Sequence, residues 1–312
     1  MIIRSENEVT EAVLAETEGA ENPRFREILQ SLVRHLHAFA LDVRLTEEEF
    51  GKGLAQVTRL GQLTTEAHNE TRLFAGALGL STLICLMNNG DNGKRESSAN
   101  LLGPFWRDGA PLMQNGASIL RSPTAGTPLF FSGTIRDTHG NPVAGAIIDV
   151  WHASPEGLYE NQDPDQAEWN LRGRFTSDSD GRFAYRSIKP KGYPVPQGGP
   201  TSDLLAAQNR VPFRPAHLHA LIYKPGFKTI ASQIYSHDDP LLEHDSQFGV
   251  TGTLVGHYVL HPAGEPAPDA DVADEWLSLD HVFILEAGEA GYPVPPVSAK
   301  SRDKVAVRAA AS

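Results

Sequence analysis

The spacing of hydrophobic residues divides the chain into two parts. In the first 90 residues the apolar positions recur every three or four residues, which is the period of an amphipathic helix. Residues 25–43 show this most clearly, with apolar side chains at Phe25, Ile28, Leu29, Leu32, Val33, Leu36, Ala40 and Val43. Thr46 and Glu49 form a capping box that opens a second helix. A further helix is predicted over roughly residues 64–88.

From about residue 125 the pattern changes to short segments in which apolar and polar residues alternate. Segments such as AIIDVWHA and HLHALIY are separated by Gly, Pro, Asn and Asp, as is typical of an all-β sandwich. The patterns predict a mainly β fold, with an antiparallel β-sandwich that follows an α-helical N-terminal region. The predicted divisions are a helical domain at 1–90, a connecting segment at 91–124, a sandwich at 125–300 and a disordered tail at 301–312.

Composition and charge narrow the classes of partner. The chain carries 39 acidic and 27 basic residues, a net charge of −12, which argues against nucleic acid and anionic membrane surfaces as partners. No stretch approaches the ~20 apolar residues that span a bilayer, and residues 1–13 lack the apolar run of a signal peptide. The single cysteine, Cys85, excludes a disulfide within the chain. We therefore expect a cytoplasmic protein.

The tripeptide His-Leu-His occurs twice, and its meaning depends on the predicted element. On a helix, residues two apart are rotated by roughly 200°, so His35 and His37 point to opposite sides and cannot share an ion. On a strand they share one face, so His217 and His219 present both imidazoles together, with Leu218 on the other face. Such a pair either binds a metal or merely packs and hydrogen-bonds, and the spacing alone leaves both readings open.

Longer segments around the second pair resemble one protein family. They stand in the order and at the spacings of the intradiol ring-cleavage dioxygenases, a non-haem ferric family that includes the catechol and hydroxyquinol 1,2-dioxygenases. The resemblance covers roughly residues 45–260. The matching segments are LLGPFWRDGAP (101–111), GAIIDVWHASPEGLYE (145–160), LRGRFTSDSDGRFAYRSIKPKGYPVPQGGP (171–200), RPAHLHA (214–220) and SQIY (232–235).

The resemblance implies one ferric ion per subunit. Carried over by motif, its ligands are Tyr159, Tyr193, His217 and His219. Ferric iron is a hard cation that favours anionic oxygen over thiolate, which agrees with two tyrosines in the set. The pentapeptide GYPVP occurs again around Tyr292, but only Tyr193 is followed by PQGGP and RPAHLHA. We therefore expect that Tyr292 is not a ligand, and that His152 in DVWHAS is structural.

The resemblance also implies the reaction, which is O2-dependent opening of a catechol-type ring between its two hydroxylated carbons. Tyr159 would accept a proton from the substrate, and Arg214 would stabilise the carbanionic form of the bound diol. Gln233 matches a glutamine that lies near the iron in members of that family. The predicted walls of the substrate pocket are Leu83, Cys85, Leu102, Pro104, Val195 and Pro196.

Two segments, YPVPQGGP and DSQFGV, point toward the hydroxyquinol branch, in which benzene-1,2,4-triol gives 3-hydroxy-cis,cis-muconate or maleylacetate. Related enzymes commonly carry Asp at the position of Cys85, so cleavage of catechol or substituted catechols to cis,cis-muconates stays an alternative. A non-catalytic β-sandwich that binds a ligand is a more distant alternative. It would take up no oxygen with any diol.

The same resemblance implies a homodimer joined through the N-terminal helices, in some members with a bound lipid. The apolar positions within 25–43 and 66–87 are compatible with such an interface. They would look the same if these helices packed on the sandwich of their own chain, so the pattern by itself does not decide the oligomeric state.

Overall fold

The computed structural model describes residues 2–88 and 97–305, and the chain divides into two compact units between Thr58 and Arg59. The predicted tail at 301–312 lies outside the described residues from 306 onward, and residues 91–96 of the predicted connecting segment lie outside them too.

The N-terminal unit is helical, as predicted. Its helices are α1, Glu6–Thr17; α2, Pro23–Asp42; and the larger part of α3, Glu47–Leu63. The Asn22 side chain caps α2, because its oxygen accepts hydrogen bonds from the backbone N of Arg24 and Phe25 at 2.9 and 3.1 Å. The capping box predicted for α3 is confirmed. The backbone N of Glu49 donates to Thr46 Oγ1 at 3.3 Å, and the backbone N of Thr46 donates to Glu49 Oε2 at 2.9 Å.

One face of these helices keeps its apolar side chains exposed. We call the exposed set on α2 and α3 the apolar stripe, and each member is between 51% and 65% exposed. On α2 the positions follow the helical repeat, so they form one continuous row. The members of the apolar stripe are Phe25, Ile28, Leu32, Leu36, Phe39, Val43, Phe50, Leu54 and Val57.

The helix predicted over 64–88 is two helices, so that part of the prediction is wrong. They are α4, Glu70–Ala77, and α5, Leu80–Asn88, with a bend of 79° between them. The break falls at Gly79, whose φ of +73° is left-handed and ends α4. Among the described residues no single helix is long and apolar enough to cross a bilayer. Only α4 and α5 taken together meet that test of length and composition.

The rest of the second unit is built on two β-sheets, which confirms the predicted sandwich. A four-stranded sheet has the order β10-β11-β1-β4, and a five-stranded sheet has the order β3-β2-β7-β8-β9. A short ribbon pairs β5 with β6, and α6, Pro200–Ala207, lies between them in the chain. The strands are β1, Pro128–Asp137; β2, Ile147–Trp151; β3, Arg172–Thr176; β4, Arg182–Ile188; β5, Tyr193–Pro194; β6, Phe213–Arg214; β7, His217–Tyr223; β8, Ile230–Ser236; β9, Val255–Gly256; β10, Val259–His261; and β11, Trp276–Leu285.

The sheets are mixed rather than wholly antiparallel. β1 pairs with β11 in parallel over nine residues, and β8 pairs with β9 in parallel, while the other pairings are antiparallel. The alternation in the sequence reports burial on one face of a strand, and it carries no information on the direction of the neighbouring strand. The strand direction therefore had to come from the structure.

The main core lies between the two sheets, and this arrangement decides where the polar residues of β7 go. Leu218, Ala220 and Ile222 of β7 belong to the core cluster, together with residues of β1 and β11 such as Phe131 and Leu279. Because side chains alternate along a strand, the residues between them face the outside of the five-stranded sheet. His217 and His219 of β7 lie on that outer face.

Candidate metal centre and active site

The register of the five-stranded sheet places the two predicted histidines in a row of polar residues. His217 and His219 are two apart on β7, so they share the outer face, whereas Leu218 faces the core as predicted. On the neighbouring strand β8, Tyr235 is paired with His217, and Gln233 is paired with His219. All four of these polar side chains are at most 3% exposed.

The two predicted tyrosines join this row from elsewhere in the chain. Tyr159 lies just before the short 3-10 turn Glu160–Gln162, and its backbone N donates to the side chain of Gln162 at 3.0 Å. Tyr193 is in β5, where it is paired with Arg214 of β6. Residues separated by up to 60 positions in the chain therefore meet at one point.

The four side chains converge through the atoms that could bind a metal. Tyr159 Oη lies 2.9 Å from Tyr193 Oη and 3.0 Å from His219 Nε2. It is 3.5 Å from His217 Nε2, and the two histidine Nε2 atoms are 3.1 Å apart. His217 is held in this orientation because its other ring nitrogen, Nδ1, lies 2.7 Å from the carbonyl oxygen of Pro215.

Aromatic side chains pack around these atoms, and the four residues are at most 4% exposed. Phe105 stacks on Tyr159 with ring centroids 4.6 Å apart, and Trp151 stacks on His219 at the same distance and nearly in parallel. Burial lowers the pKa of His217 to about 3, and the nearby Arg214 charge acts in the same direction. Burial likewise lowers the pKa of His219 well below its usual value. Both imidazoles are therefore neutral, with a lone pair available for a metal.

Burial raises the pKa of Tyr159 well above its usual value, and the adjacent Tyr193 adds to that effect. Burial also raises the pKa of Tyr193, although Arg214 opposes it. The protein alone thus keeps both phenols protonated, and a multiply charged cation between them would favour the phenolates. Two phenolate oxygens and two imidazole nitrogens fit a hard, highly charged ion such as ferric iron.

Tyrosine is necessary for this site, because histidine alone supplies only two of its ligand atoms. Within residues 2–88 and 97–305 no three His, Cys, Asp or Glu side chains are placed to hold a metal ion together. The lone cysteine, Cys85, is on α5 and is not part of the cluster.

Arg214 lies beside the cluster and is fixed by a network that sequence reasoning did not find. Its Nη1 is 3.3 Å from His217 Nε2, and its other nitrogens donate to both carboxylate oxygens of Asp245 at 3.0 Å. Nη2 also donates to Gln233 Oε1 at 2.9 Å and to Tyr235 Oη at 2.6 Å. Arg214 is only 2% exposed, so its charge is buried and paired.

Tyr235 and Asp245 are the functional residues that the sequence did not reveal. Tyr235 stands in the matched segment SQIY without an assigned role, and in the structure its hydroxyl faces Arg214 and Gln233. Asp245 lies in an irregular segment 31 residues after Arg214, where no local pattern links the two. The only signal for Tyr235 was its spacing of two from Gln233, which predicts the same strand face.

A cavity of about 480 Å³ adjoins the cluster. We call it the α4–α5 cavity, because one face of each of these helices lines it together with residues 99–104. Its wall comes closest to the cluster at Gly103, where a side-chain Cβ would lie 3.3 Å from the ring carbon Cε1 of His219. A volume of this size is typical of a pocket for a small ligand.

The cavity contains some of the predicted pocket residues and not others. Cys85, Leu102 and Pro104 line it. Leu83 does not line it, and its side chain is 54% exposed. Successive residues of a helix are rotated by ~100°, so Leu83 points away from the face of α5 that lines the cavity. Val195 and Pro196 are buried but are not on the lining. Val195 packs with Leu73, Ala77 and Leu205 in a separate apolar cluster.

The remaining histidine and tyrosine candidates lie outside this cluster. His35 and His37 turn to different partners, the carbonyl of Ser31 at 2.8 Å and the hydroxyl of Thr10 at 3.0 Å. His152 is buried between the Ala153 carbonyl and Ser187 Oγ. Tyr292 donates its hydroxyl to Asp108 at 2.9 Å.

Comparisons with known proteins agree with one another on the family of this chain. A family model described as "Dioxygenase" matches residues 101–275, and one described as "Catechol dioxygenase N terminus" matches residues 22–95. The hydroxyquinol 1,2-dioxygenase of Nocardioides simplex is 39% identical over 282 residues, which cover 90% of this chain and 95% of that protein. The catechol 1,2-dioxygenase of Candida albicans is 35% identical and covers 80% and 83%.

Solved structures agree. The hydroxyquinol 1,2-dioxygenase of Pseudomonas putida DLL-E4 superposes with a TM-score of 0.81 at 38% identity, covering 91% of this chain and 99% of that one. The catechol 1,2-dioxygenase of Pseudomonas arvilla C-1 has a TM-score of 0.80 at 28% identity, covering 97% and 99%. With these matches over most of its length, the chain belongs to the intradiol ring-cleavage dioxygenase family.

Proposed function

We propose that this protein cleaves hydroxyquinol with O2 between its two adjacent hydroxylated carbons, using ferric iron held by Tyr159, Tyr193, His217 and His219. The observation that carries the proposal is that the other three ligand atoms lie within 3.5 Å of Tyr159 Oη, buried beside a cavity of about 480 Å³. Relatives named hydroxyquinol 1,2-dioxygenase favour this substrate over catechol.

Ferric iron held there would supply Lewis acidity toward the two diol oxygens and the electronic coupling to O2 that an organic side chain lacks. The residues of the chain supply the rest. Tyr159 Oη lies within 3.5 Å of the other three ligand atoms, and as a phenolate on the metal it would be the group that takes a proton from a hydroxyl of the incoming diol. Its neighbour Tyr193 keeps a fixed orientation through the β5–β6 ribbon.

Arg214 supplies a permanent positive charge beside His217. Because its Nη1 is 3.3 Å from His217 Nε2, a ring bound at the cluster would lie within reach of the guanidinium as negative charge develops on its carbons. Gln233 holds the Arg214 fork on one side through Oε1, and its Nε2 donates to the carbonyl of Leu101 on the cavity wall at 2.7 Å. These two residues therefore link the charge to the cavity.

Oxygen uptake with a panel of diols tests the proposal. Iron-loaded protein is compared on hydroxyquinol, on catechol and on the chloro- and methyl-substituted forms of both. We expect the highest kcat/KM with hydroxyquinol. A preference for catechol would refute this substrate assignment within the family, whereas no uptake with any diol would refute the catalytic proposal and favour a binding module.

A Tyr193→Phe variant tests whether Tyr193 is a metal ligand, since it removes one oxygen atom and keeps the ring that packs in the cluster. We expect it to lose the visible tyrosinate-to-iron absorption band in part and to lower kcat by about 10²-fold or more. Unchanged absorption and unchanged kcat would exclude Tyr193 from the metal set.

We further propose that the protein is a homodimer joined through the apolar stripe, with lipid as an additional occupant. The nine stripe side chains expose between 51% and 65% of their surface to solvent in the single chain. Contiguous exposed apolar rows of this kind mark interfaces in soluble proteins.

A further inference from the structure

The α4–α5 cavity carries one charged side chain that nothing in the proposed reaction uses. Arg72 lies in the first turn of α4, and it lines the cavity together with Ala75 of the same helix face. It is the only Asp, Glu, Lys or Arg among the lining residues that the structure describes.

The Arg72 guanidinium has no carboxylate or other side-chain partner within residues 2–88 and 97–305. The only hydrogen bond recorded for this residue runs from its backbone N to the side chain of Asn69. The chain has 39 acidic residues against 27 basic ones, so carboxylates are plentiful. A cation left without one of them on a cavity wall is available to a ligand.

Two other polar residues on the lining are already engaged. The amide of Asn100 donates to the carbonyl of Gly249 at 2.5 Å, and its oxygen accepts from the backbone N of Leu101. The amide of Gln247 donates to the carbonyl of Leu73 at 3.3 Å. The hydroxyls of Ser81 and Thr229 also line the cavity, but they carry no charge, so the ionic part of recognising a charged group falls to Arg72.

The cavity is also larger than a bare ring requires. Its volume is about 480 Å³, whereas a cavity of about 150 Å³ is enough to hold benzene. A diol bound with its two hydroxyls at the cluster leaves space on the side of α4 and α5 for a substituent on the ring. That space is bounded by apolar residues such as Leu80 and Ile84, with Arg72 as the charged exception.

We propose that this cavity accepts diols whose ring carries a carboxylate on a short side chain, and that Arg72 pairs with that carboxylate. A third ring hydroxyl would not neutralise the positive charge of Arg72, because a phenol with a pKa of about 10 is neutral at pH 7. A carboxylic acid with a pKa of about 4 is ionised at that pH. Carboxylate and guanidinium also match in geometry through two parallel hydrogen bonds. The proposal rests on the proposed function, since it assumes that the diol binds at the cluster.

The test compares an acid with its neutral isostere. Oxygen uptake by the iron-loaded protein is measured with 3,4-dihydroxyphenylacetate and 3,4-dihydroxyphenylacetamide, whose methylene group insulates the ring from the difference in charge. We expect kcat/KM to be about tenfold higher for the acid, the effect of one charge-assisted hydrogen bond. If neither compound is turned over, their inhibition constants against hydroxyquinol give the same ratio.

Variants of Arg72 test whether this residue causes the preference for the acid over the amide. In Arg72→Gln the preference for the acid should fall to about one, and in Arg72→Lys part of it should remain. Arg182→Gln is the matched control, because Arg182 is an exposed arginine on β4 that does not line the cavity, and this variant should keep the wild-type ratio.

The outcomes separate the two proposals. Uptake of oxygen with hydroxyquinol together with a wild-type ratio of one or less overturns the inference on Arg72 and leaves the proposed function standing. A ratio that survives in Arg72→Gln overturns the inference as well. Absence of uptake and of binding with every diol overturns the proposed function itself.

Discussion

Arg214 and Asp245 show how this protein stabilises a buried charge. Burial disfavours ionisation of Asp245, yet the charge and hydrogen bonds of Arg214 outweigh it, and the pKa of Asp245 lies below its usual value. The pair is almost fully buried, with Arg214 2% and Asp245 6% exposed. Asp245 is thus a positioning residue, because it sets the direction of the guanidinium that faces His217.

Replacing Asp245 should therefore destabilise the folded protein. In Asp245→Asn the Arg214 charge loses its counter-ion in a buried site, and we expect the free energy of unfolding to fall by about 3–5 kcal/mol. Urea denaturation measures it. The control is Asp238→Asn, which breaks a partly exposed pair with Lys189 and should cost less than about 1 kcal/mol.

Equal losses in the two aspartate variants would contradict the assignment of Asp245 to a buried pair. Activity separates positioning from stability. If Asp245 positions Arg214, Asp245→Asn should lower kcat at temperatures where the variant is fully folded, while KM for hydroxyquinol changes less. A folded Asp245→Asn protein with wild-type kcat would show that the pair has only a structural role.

His152 gives a pH-dependent prediction. Burial lowers its pKa to about 4, whereas an unfolded chain has a histidine pKa of about 6.5. As the pH falls from 6.5 to 4 the unfolded state takes up a proton that the folded state does not, so His152 makes stability decline over that window. Above pH 6.5 this effect is absent.

A His152→Gln variant removes that contribution. It loses the contacts to Ser187 and Ala153, so it should be less stable than wild type at pH 7.5. The difference in unfolding free energy between the two proteins should shrink as the pH is lowered to 5, because only the wild type loses stability by protonation of this residue. Urea denaturation at pH 7.5, 6 and 5 measures it. A constant difference would contradict the assigned pKa direction.

At the scale of elements, the strands were easier to predict than the helices. The alternation in HLHALIY correctly places His217 and His219 on one face and Leu218 on the other, because a strand has a strict period of two. The two tyrosines lie on irregular or very short elements, and only their motifs identified them. Contacts such as Arg214 with Asp245 join distant segments, and no local pattern reports them.

The break between α4 and α5 is the main local error of the sequence analysis. Apolar periodicity continues across residues 64–88, and it does not register that a glycine can reverse the chain direction. At Gly79 the backbone adopts φ +73°, and α5 starts one residue later at an angle of 79° to α4. The bend turns one face of each helix to the same cavity, which is why Leu83 points elsewhere.

Two glycines should respond in opposite ways to the same substitution. Gly79→Ala forces a side chain into the left-handed region and should lower the free energy of unfolding by about 1–2 kcal/mol. Gly51→Ala, in α3 off the apolar stripe and with open space around the new Cβ, should raise it by about 1 kcal/mol. Chemical denaturation of both variants measures this. A stabilised Gly79→Ala protein would contradict the described helix break.

At the scale of the whole molecule, the apolar stripe predicts the oligomeric state. Leu36 lies in the middle of the stripe on α2 and is 54% exposed in the single chain. If two chains bury their stripes against each other, Leu36→Glu should place a charge in the interface and shift the protein to monomer. Arg34→Glu, on the opposite face of the same helix, is the matched control and should stay dimeric.

Size-exclusion chromatography with light scattering gives the mass of each protein. A monomeric wild type would contradict the dimer proposal, and so would a Leu36→Glu protein that remains a dimer. Extraction of the purified wild type with organic solvent, followed by mass spectrometry, tests for lipid. Loss of lipid in Leu36→Glu and not in Arg34→Glu would locate the lipid at the apolar stripe.

If the buried cluster of two tyrosines and two histidines catalyses intradiol cleavage, the product is a ring opened between the two hydroxylated carbons. The most direct measurement is product analysis by mass spectrometry after iron-loaded protein consumes oxygen with hydroxyquinol. We expect one O2 taken up per substrate and an acyclic dicarboxylic acid with the mass of 3-hydroxy-cis,cis-muconate, and the loss of both in Tyr159→Phe. A ring-opened aldehyde, an intact ring, or the same product from Tyr159→Phe at the wild-type rate would contradict it.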